Sequence, residues 1–300
     1  MVTAMKHLFR NSFRFLLPAL LLFAFSCDDD KDDNNVTPPP APTEQVKLQT
    51  SSSLGSYLVD KDGRTLYYFS NDANGQNNCP GGCEAVWPYF FVENLTDDMI
   101  GDGLDKADFA TITAANGKKQ LTYKTWPLYY YAPAVNGTNT LEAPNQTTGE
   151  GVGGVWFVAK PDYTIMLVNA QLVGNDGKNY KSDYTEGEGK TIYFTDGKGL
   201  TLYGFKPDKF NKNNYTKPDF SNNSVWPIYE TDKVVVPSTL DKTLFSSIDV
   251  FGKKQLTYKG WPLYYFGPDG TVRGSNKGVS VPNPGVWPVI LKDIAAAPPQ

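Results

Sequence analysis

Short runs of alternating apolar and polar positions, closed by Gly, Pro, Asn or Asp, recur from residue 45 onward, and an apolar stripe at helical spacing is almost nowhere found. The segment GSYLVDKDGRTLYYFSND at 55–72 reads as two strands, around 57–59 and 65–69, joined by a hairpin turn at Lys61-Asp62-Gly63. TIYFTDGKGLTLYGFKPD at 191–208 follows the same plan. FATITAANGKKQLTYKTWPLYYY at 109–131 and FSSIDVFGKKQLTYKGWPLYYF at 245–266 each read as a three-strand meander. Their turns fall at Asn116-Gly117 or Phe251-Gly252 and at the Trp-Pro step. Each of these four units then passes through a polar loop to an aromatic strand: AVWPYFFVE, GVWFVA, SVWPIYE and GVWPVIL.

The pattern is an internal duplication. GKKQLTYKTWPLYY at 117–130 and GKKQLTYKGWPLYY at 252–265 differ only at Thr125 and Gly260. Trp87, Trp126 and Trp156 correspond to Trp226, Trp261 and Trp287, so every tryptophan belongs to the repeat. Five of the six precede proline, which pushes them toward extended backbone. A lone unit would leave an apolar sheet face bare, so units must pack on one another. The expected fold is all-β: tandem meander repeats, two units in a module at 45–173 and two in a module at 174–300. A small sandwich or barrel per module is the first expectation, and a four-bladed propeller-like ring the alternative.

The first 26 residues differ in kind. Lys6, Arg10 and Arg14 precede an apolar run through Leu16, Leu20 and Phe23 that ends at Ser26-Cys27, the order of a secretory signal peptide. A small residue directly before a cysteine resembles a bacterial lipobox, which implies lipidation of Cys27 and attachment to a membrane. The acidic, Pro-rich stretch at 27–44, opening Cys27-Asp28-Asp29-Asp30, reads as a tether. It resembles the export signal of Bacteroidetes lipoproteins, which implies the outer membrane and its outer, cell-surface face.

Charge and cysteine content narrow the chemistry. Three of the 28 basic residues and none of the 32 acids leave with the signal, and most of the acid excess sits in the tether, so the body has no footprint for nucleic acid. With Cys27 lipidated, Cys79 and Cys83 remain, and Pro80-Gly81-Gly82 lets them close one disulfide in an oxidising compartment. A metal site fails on ligand count: the only histidine, His7, lies in the signal. The turn at Asp60 and Asp62 lacks the further spaced carboxylates of a calcium loop. No metal and no cofactor are expected.

Three units share a tyrosine, an aromatic two residues on and an aspartate three beyond: Tyr67, Phe69, Asp72; Tyr203, Phe205, Asp208; Tyr264, Phe266, Asp269. The fourth keeps Tyr129 and Tyr131 but has Ala134 in the aspartate position. This motif, with the TLYYF, QLTYK and WPLYY strands and the Cys-x3-Cys loop, resembles the secreted-repeat lipoprotein family named for its Yx(FWY)xxD motif. The resemblance implies a binding or structural module without an established activity. On a strand Tyr67 and Phe69 face one way and Leu66 and Tyr68 the other, a pattern of core packing, and the aspartates suit turns in which a carboxylate accepts backbone N–H groups.

These residues favour a lipid-anchored binding or scaffold protein, not an enzyme, with a glycan or a protein as partner. Trp126, Tyr130, Trp261 and Tyr265, beside turns, are the candidate ligand contacts and are expected to be exposed. The alternatives are an accessory protein of a redox chain, or a glycan-active enzyme using carboxylates alone.

Overall fold

The computed structural model describes residues 43–79 and 81–300. The expected signal peptide at 1–26, the expected lipidation site Cys27 and most of the expected tether at 27–44 lie outside the described residues. No described helix is long and apolar enough to cross a membrane.

The chain is all-β. β1 (Val46–Ser51) and β2 (Gly55–Asp60) form an antiparallel hairpin. The turn at Gly63, with φ of 84°, returns the chain so that Val59 bridges Thr65 ahead of β3 (Tyr67–Phe69). A four-residue helix, α1 (Cys83–Val86), follows. β4 (Phe109–Thr113), β5 (Lys119–Tyr123) and β6 (Trp126–Pro127) make the meander expected there. β7 (Ala134–Val135) and β8 (Thr138–Asn139) form a small exposed hairpin, and β9 (Trp156–Val158) returns to pair with β3.

β10 (Met166–Val173) opens the second half, flanked by β11 (Asn179–Tyr180) and β12 (Lys190–Thr195). The pairing of β10 with β12 crosses the division expected at 173/174. The second meander comprises β13 (Phe245–Val250), β14 (Lys253–Tyr258) and β15 (Trp261–Pro262).

These strands form several small antiparallel sheets, and of the sandwich or barrel expected per module, the closed barrel is not formed among the described residues. The reason lies in the strands. β6 and β15 are Trp-Pro dipeptides whose proline has no N–H to extend a ladder. Neighbouring sheets are instead joined by single bridges through tyrosines: Tyr67 to Tyr129 and Tyr129 to Tyr89 in the first half, Tyr203 to Tyr264 and Tyr264 to Ile228 in the second.

Successive residues at the start of β3 and just before it feed different cores. Leu66 enters a cluster with Leu58, Phe90 and Leu128, whereas Tyr67 and Phe69 join one built on Trp87, Tyr129 and Trp156. Tyr68 turns into the largest cluster, which also holds Trp126, Phe157, Ile165, Leu202, Tyr203 and Trp287, and so draws on both halves of the chain.

The tyrosine-carboxylate lattice and the inter-unit cleft

Tyr67 and Tyr129 exchange both backbone hydrogen bonds, at 2.8 and 2.9 Å, and Tyr203 and Tyr264 do the same, both at 2.9 Å. Each exchange places two motif tyrosines side by side at the centre of a pair of units. Their side chains then cross. Tyr129 donates its hydroxyl to Asp72 at 2.7 Å, and Tyr264 donates to Asp208 at 2.8 Å. In the opposite sense Tyr203 donates to Asp269 at 2.5 Å. Tyr67, whose unit partner has Ala134 in place of the motif aspartate, donates to Glu142 at 2.7 Å.

Every one of these acids is buried. Each also fixes a loop by accepting a backbone N–H: Asn78 on Asp72, Asn214 on Asp208, Lys277 on Asp269 and Thr148 on Glu142. Burial pushes Asp72 and Asp208 up to about 7, against the phenol and N–H bonds that pull them down. Asp269 is raised for the same reason. The same burial, together with the facing acid, holds the proton firmly on Tyr129 and Tyr264. Nothing in this arrangement frees a carboxylate for proton transfer: each is closed by a phenol and a peptide N–H.

Glycine completes the pattern at two matched places. Gly149 donates its N–H to the Tyr67 hydroxyl at 3.2 Å, and Gly278 donates to that of Tyr203 at 3.3 Å. A Cβ at Gly149 would lie 2.8 Å from the Tyr67 ring, and one at Gly278 would lie 2.7 Å from Trp226. Only glycine lets the backbone approach so closely.

The second motif aromatic has another task. Phe69, Trp156, Trp87 and Tyr131 form one continuous stack, with centroid separations of 4.0, 3.8 and 4.4 Å. Phe205, Trp287, Trp226 and Phe266 form its counterpart, at 4.2, 3.7 and 4.4 Å. The motif is thus a division of labour: its tyrosine reaches a carboxylate in the neighbouring unit, its second aromatic caps a tryptophan pair, and its aspartate receives the neighbour's phenol.

Cys79 and Cys83 form the disulfide, packed beside the first stack. Asn77 donates to Gln120 at 2.6 Å and caps the N–H of Cys79; Asn213 donates to Gln255 at 2.8 Å and caps that of Tyr215. Tyr215 therefore stands where Cys79 would be, with its ring edge-on to Trp287 at 4.7 Å. An aromatic contact occupies the place of the disulfide in the second half.

The four residues expected at the surface are not there. Trp126 and Trp261 are 3% and 8% exposed. Their indole N–H groups donate to Gly197 O and Ala295 O. Tyr130 and Tyr265 are half-buried, with hydroxyls bonded to Asp60 and Asp196 at 2.9 and 3.0 Å. Those two acids also organise the hairpin turns, accepting N–H bonds from Asp62 and Arg64 and from Lys198 and Leu200. Asp60 is thereby committed to the turn, and Asp62 pairs with Lys61 and Arg64. No group of three or more potential metal ligands occurs among the described residues.

Sequence reading missed Glu142, Asp60 and Asp196 as structural acceptors. Glu142 carries no motif spacing. Asp60 and Asp196 do have a signal, since each precedes the turn of a first unit.

Where the halves meet, Arg273 lies over the Trp126 ring at 4.0 Å. It donates to Thr125 Oγ1 at 2.5 Å, Lys198 O at 3.2 Å, Lys124 O at 3.4 Å and Asp72 O at 3.5 Å. Above it opens a cleft between the 71–78 loop and the β10–β12 ribbon, lined by Asn71, Asn74, Asn78, Asn169, Gln171 and Lys190.

Residues 50–90, with Tyr67, Phe69, Asp72 and both cysteines, match the model of a family described as a secreted repeat of unknown function, the same family that the motif resembles. No curated protein and no solved structure matches the chain. The family description places the repeat outside the cytoplasm, in the envelope or beyond it.

Proposed function

We propose that this protein is a lipid-anchored scaffold of the cell envelope that binds a partner through its surface loops and uses its repeat motif for architecture, not catalysis. The observation that carries this reading is the closure of the three motif aspartates, and of Glu142 in the fourth unit, by phenols and peptide N–H groups. A general acid or base has to reach a proton on a substrate, and these acids face inward. The cysteine after the apolar run supports an anchor at Cys27, and the acidic residues behind it support the outer face of the outer membrane.

The experiment is expression of the full chain and of Cys27→Ala in a cell that lipidates such signals, followed by membrane fractionation, protease shaving and affinity recovery of partners. The expected result is membrane retention that Cys27→Ala abolishes, cleavage by added protease on intact cells, and a partner retained by the wild type. Protection from protease would overturn the surface placement, and hydrolytic activity lost in Asp208→Asn would overturn the non-catalytic reading.

A further inference from the structure

The cleft above Arg273 has a composition that the architecture alone does not call for. Its volume is about 240 Å³, below the roughly 300–1,000 Å³ of pockets that enclose drug-sized ligands, so it admits one small polar unit and not an extended chain. Amides dominate its walls. Asn169 Nδ2 donates to Asn71 Oδ1 at 2.9 Å, which leaves Asn71 Nδ2 and Asn169 Oδ1 without partners among the described residues. Asn74 Oδ1 accepts from Gln76 N and from Asn78 Nδ2, and its own Nδ2 is likewise without a partner. A donor and acceptor set of this kind suits hydroxyl groups.

Charge narrows the ligand further. No acid lines the cleft, and two cations do. Lys190 is exposed and pairs with no acid among the described residues. Arg273 is held by carbonyl and hydroxyl oxygens, has no carboxylate within ion-pair reach among the described residues, and leaves its buried Nε without a partner. The carboxylates of Asp72 and Asp196 act on it only at longer range. A guanidinium withdrawn from water without a counter-ion favours an incoming anion. No aromatic side chain lines the cleft, which disfavours sugars held by ring stacking.

We propose that this cleft binds a carboxylate-bearing sugar, with the carboxylate drawn to Lys190 and Arg273 and the ring hydroxyls met by Asn71, Asn74 and Asn169. This deepens the binding reading and rests on it. The sugar would be a terminal residue of a larger acidic glycan, since the cleft holds one ring.

Calorimetric titration of the purified full-length protein with sodium glucuronate, N-acetylneuraminate, glucose and acetate tests it. At least one acidic sugar is expected to bind at least ~10-fold more tightly than glucose or acetate. Lys190→Glu and Asn74→Asp are expected to weaken that binding by at least ~10-fold through charge repulsion. Both positions are exposed, and Asp keeps the acceptor that Asn74 supplies to its turn, so thermal melting should be unchanged. Absence of binding by both acidic sugars, equal binding of glucose, or binding indifferent to Lys190→Glu would each overturn the proposal. Recovery of the same cell-surface partner by wild type and Lys190→Glu, without acidic-sugar binding, would sink this inference alone and leave the scaffold reading standing.

Discussion

Glu142 accepts the Tyr67 hydroxyl at 2.7 Å in the role that an aspartate fills for Tyr129, Tyr203 and Tyr264. It reaches that position from a different point in its unit, beyond the β7–β8 hairpin, and brings Thr148 with it through Oγ1 at 2.6 Å. The missing motif aspartate at Ala134 is therefore replaced in space though not in sequence.

Removing this acceptor should be felt. Glu142→Ala leaves a buried phenol unsatisfied and is expected to lower stability by about 1–3 kcal/mol. Urea unfolding would measure it, and the Tyr67→Phe/Glu142→Ala double variant should lose less than the sum of the two single changes. Additive losses would show that the bond is not formed.

Acid should stabilise the lattice. Asp72 and Asp208 sit near pH 7 in the folded chain against an ordinary value of 3.8. A raised carboxyl binds its proton more tightly when folded, so its contribution is complete below about pH 4 and is lost as pH rises through 7. Each pKa unit corresponds to about 1.4 kcal/mol. Melting temperature should fall between pH 5 and 8, and less steeply in Asp208→Asn; a flat or rising profile in the wild type would refute the assignment.

Arg273 should couple the halves. Arg273→Met keeps the aliphatic stem over Trp126 but forfeits the charge and four hydrogen bonds, and is expected to lower stability by about 1–3 kcal/mol. Hydrogen exchange of the Trp126 indole N–H should accelerate while that of Trp261, bonded to Ala295 O, stays unchanged. Equal acceleration of both would point to global loosening instead.

The two bracing devices should differ in sensitivity to reductant. Opening the Cys79–Cys83 loop removes a short constraint worth about 2 kcal/mol by chain entropy. Tyr215→Ala deletes a half-buried ring against Trp287 and should cost about 1–3 kcal/mol, less than loss of a fully buried aromatic. Dithiothreitol should shift unfolding of the wild type, and shift Tyr215→Ala by the same increment; no shift in either would mean that the disulfide braces nothing.

Local chemistry was legible and long-range pairing was not. The β1–β2 hairpin and both meanders follow from alternation and from turn glycines such as Gly63, features contained within a few residues. The tyrosine bonds span 57 residues for Tyr129 with Asp72 and 75 for Tyr67 with Glu142, distances over which no local pattern acts. A turn-side tyrosine ordinarily faces water, which is why the sequence alone leads one to expect Tyr130 and Tyr265 at the surface. Here Asp60 and Asp196, 70 and 69 residues away, draw the hydroxyls inward. No closed barrel forms among the described residues because a Trp-Pro dipeptide is too short a strand to carry a ladder round.

The crossed bonds between Tyr67 and Glu142 and between Tyr129 and Asp72 make two units mutually incomplete. A fragment holding one unit would display an unmet donor beside an unmet acceptor, and the other unit of its pair supplies the partner of each. The covalent chain holds these complementary units at a high effective concentration, so their pairing does not depend on how much protein is present.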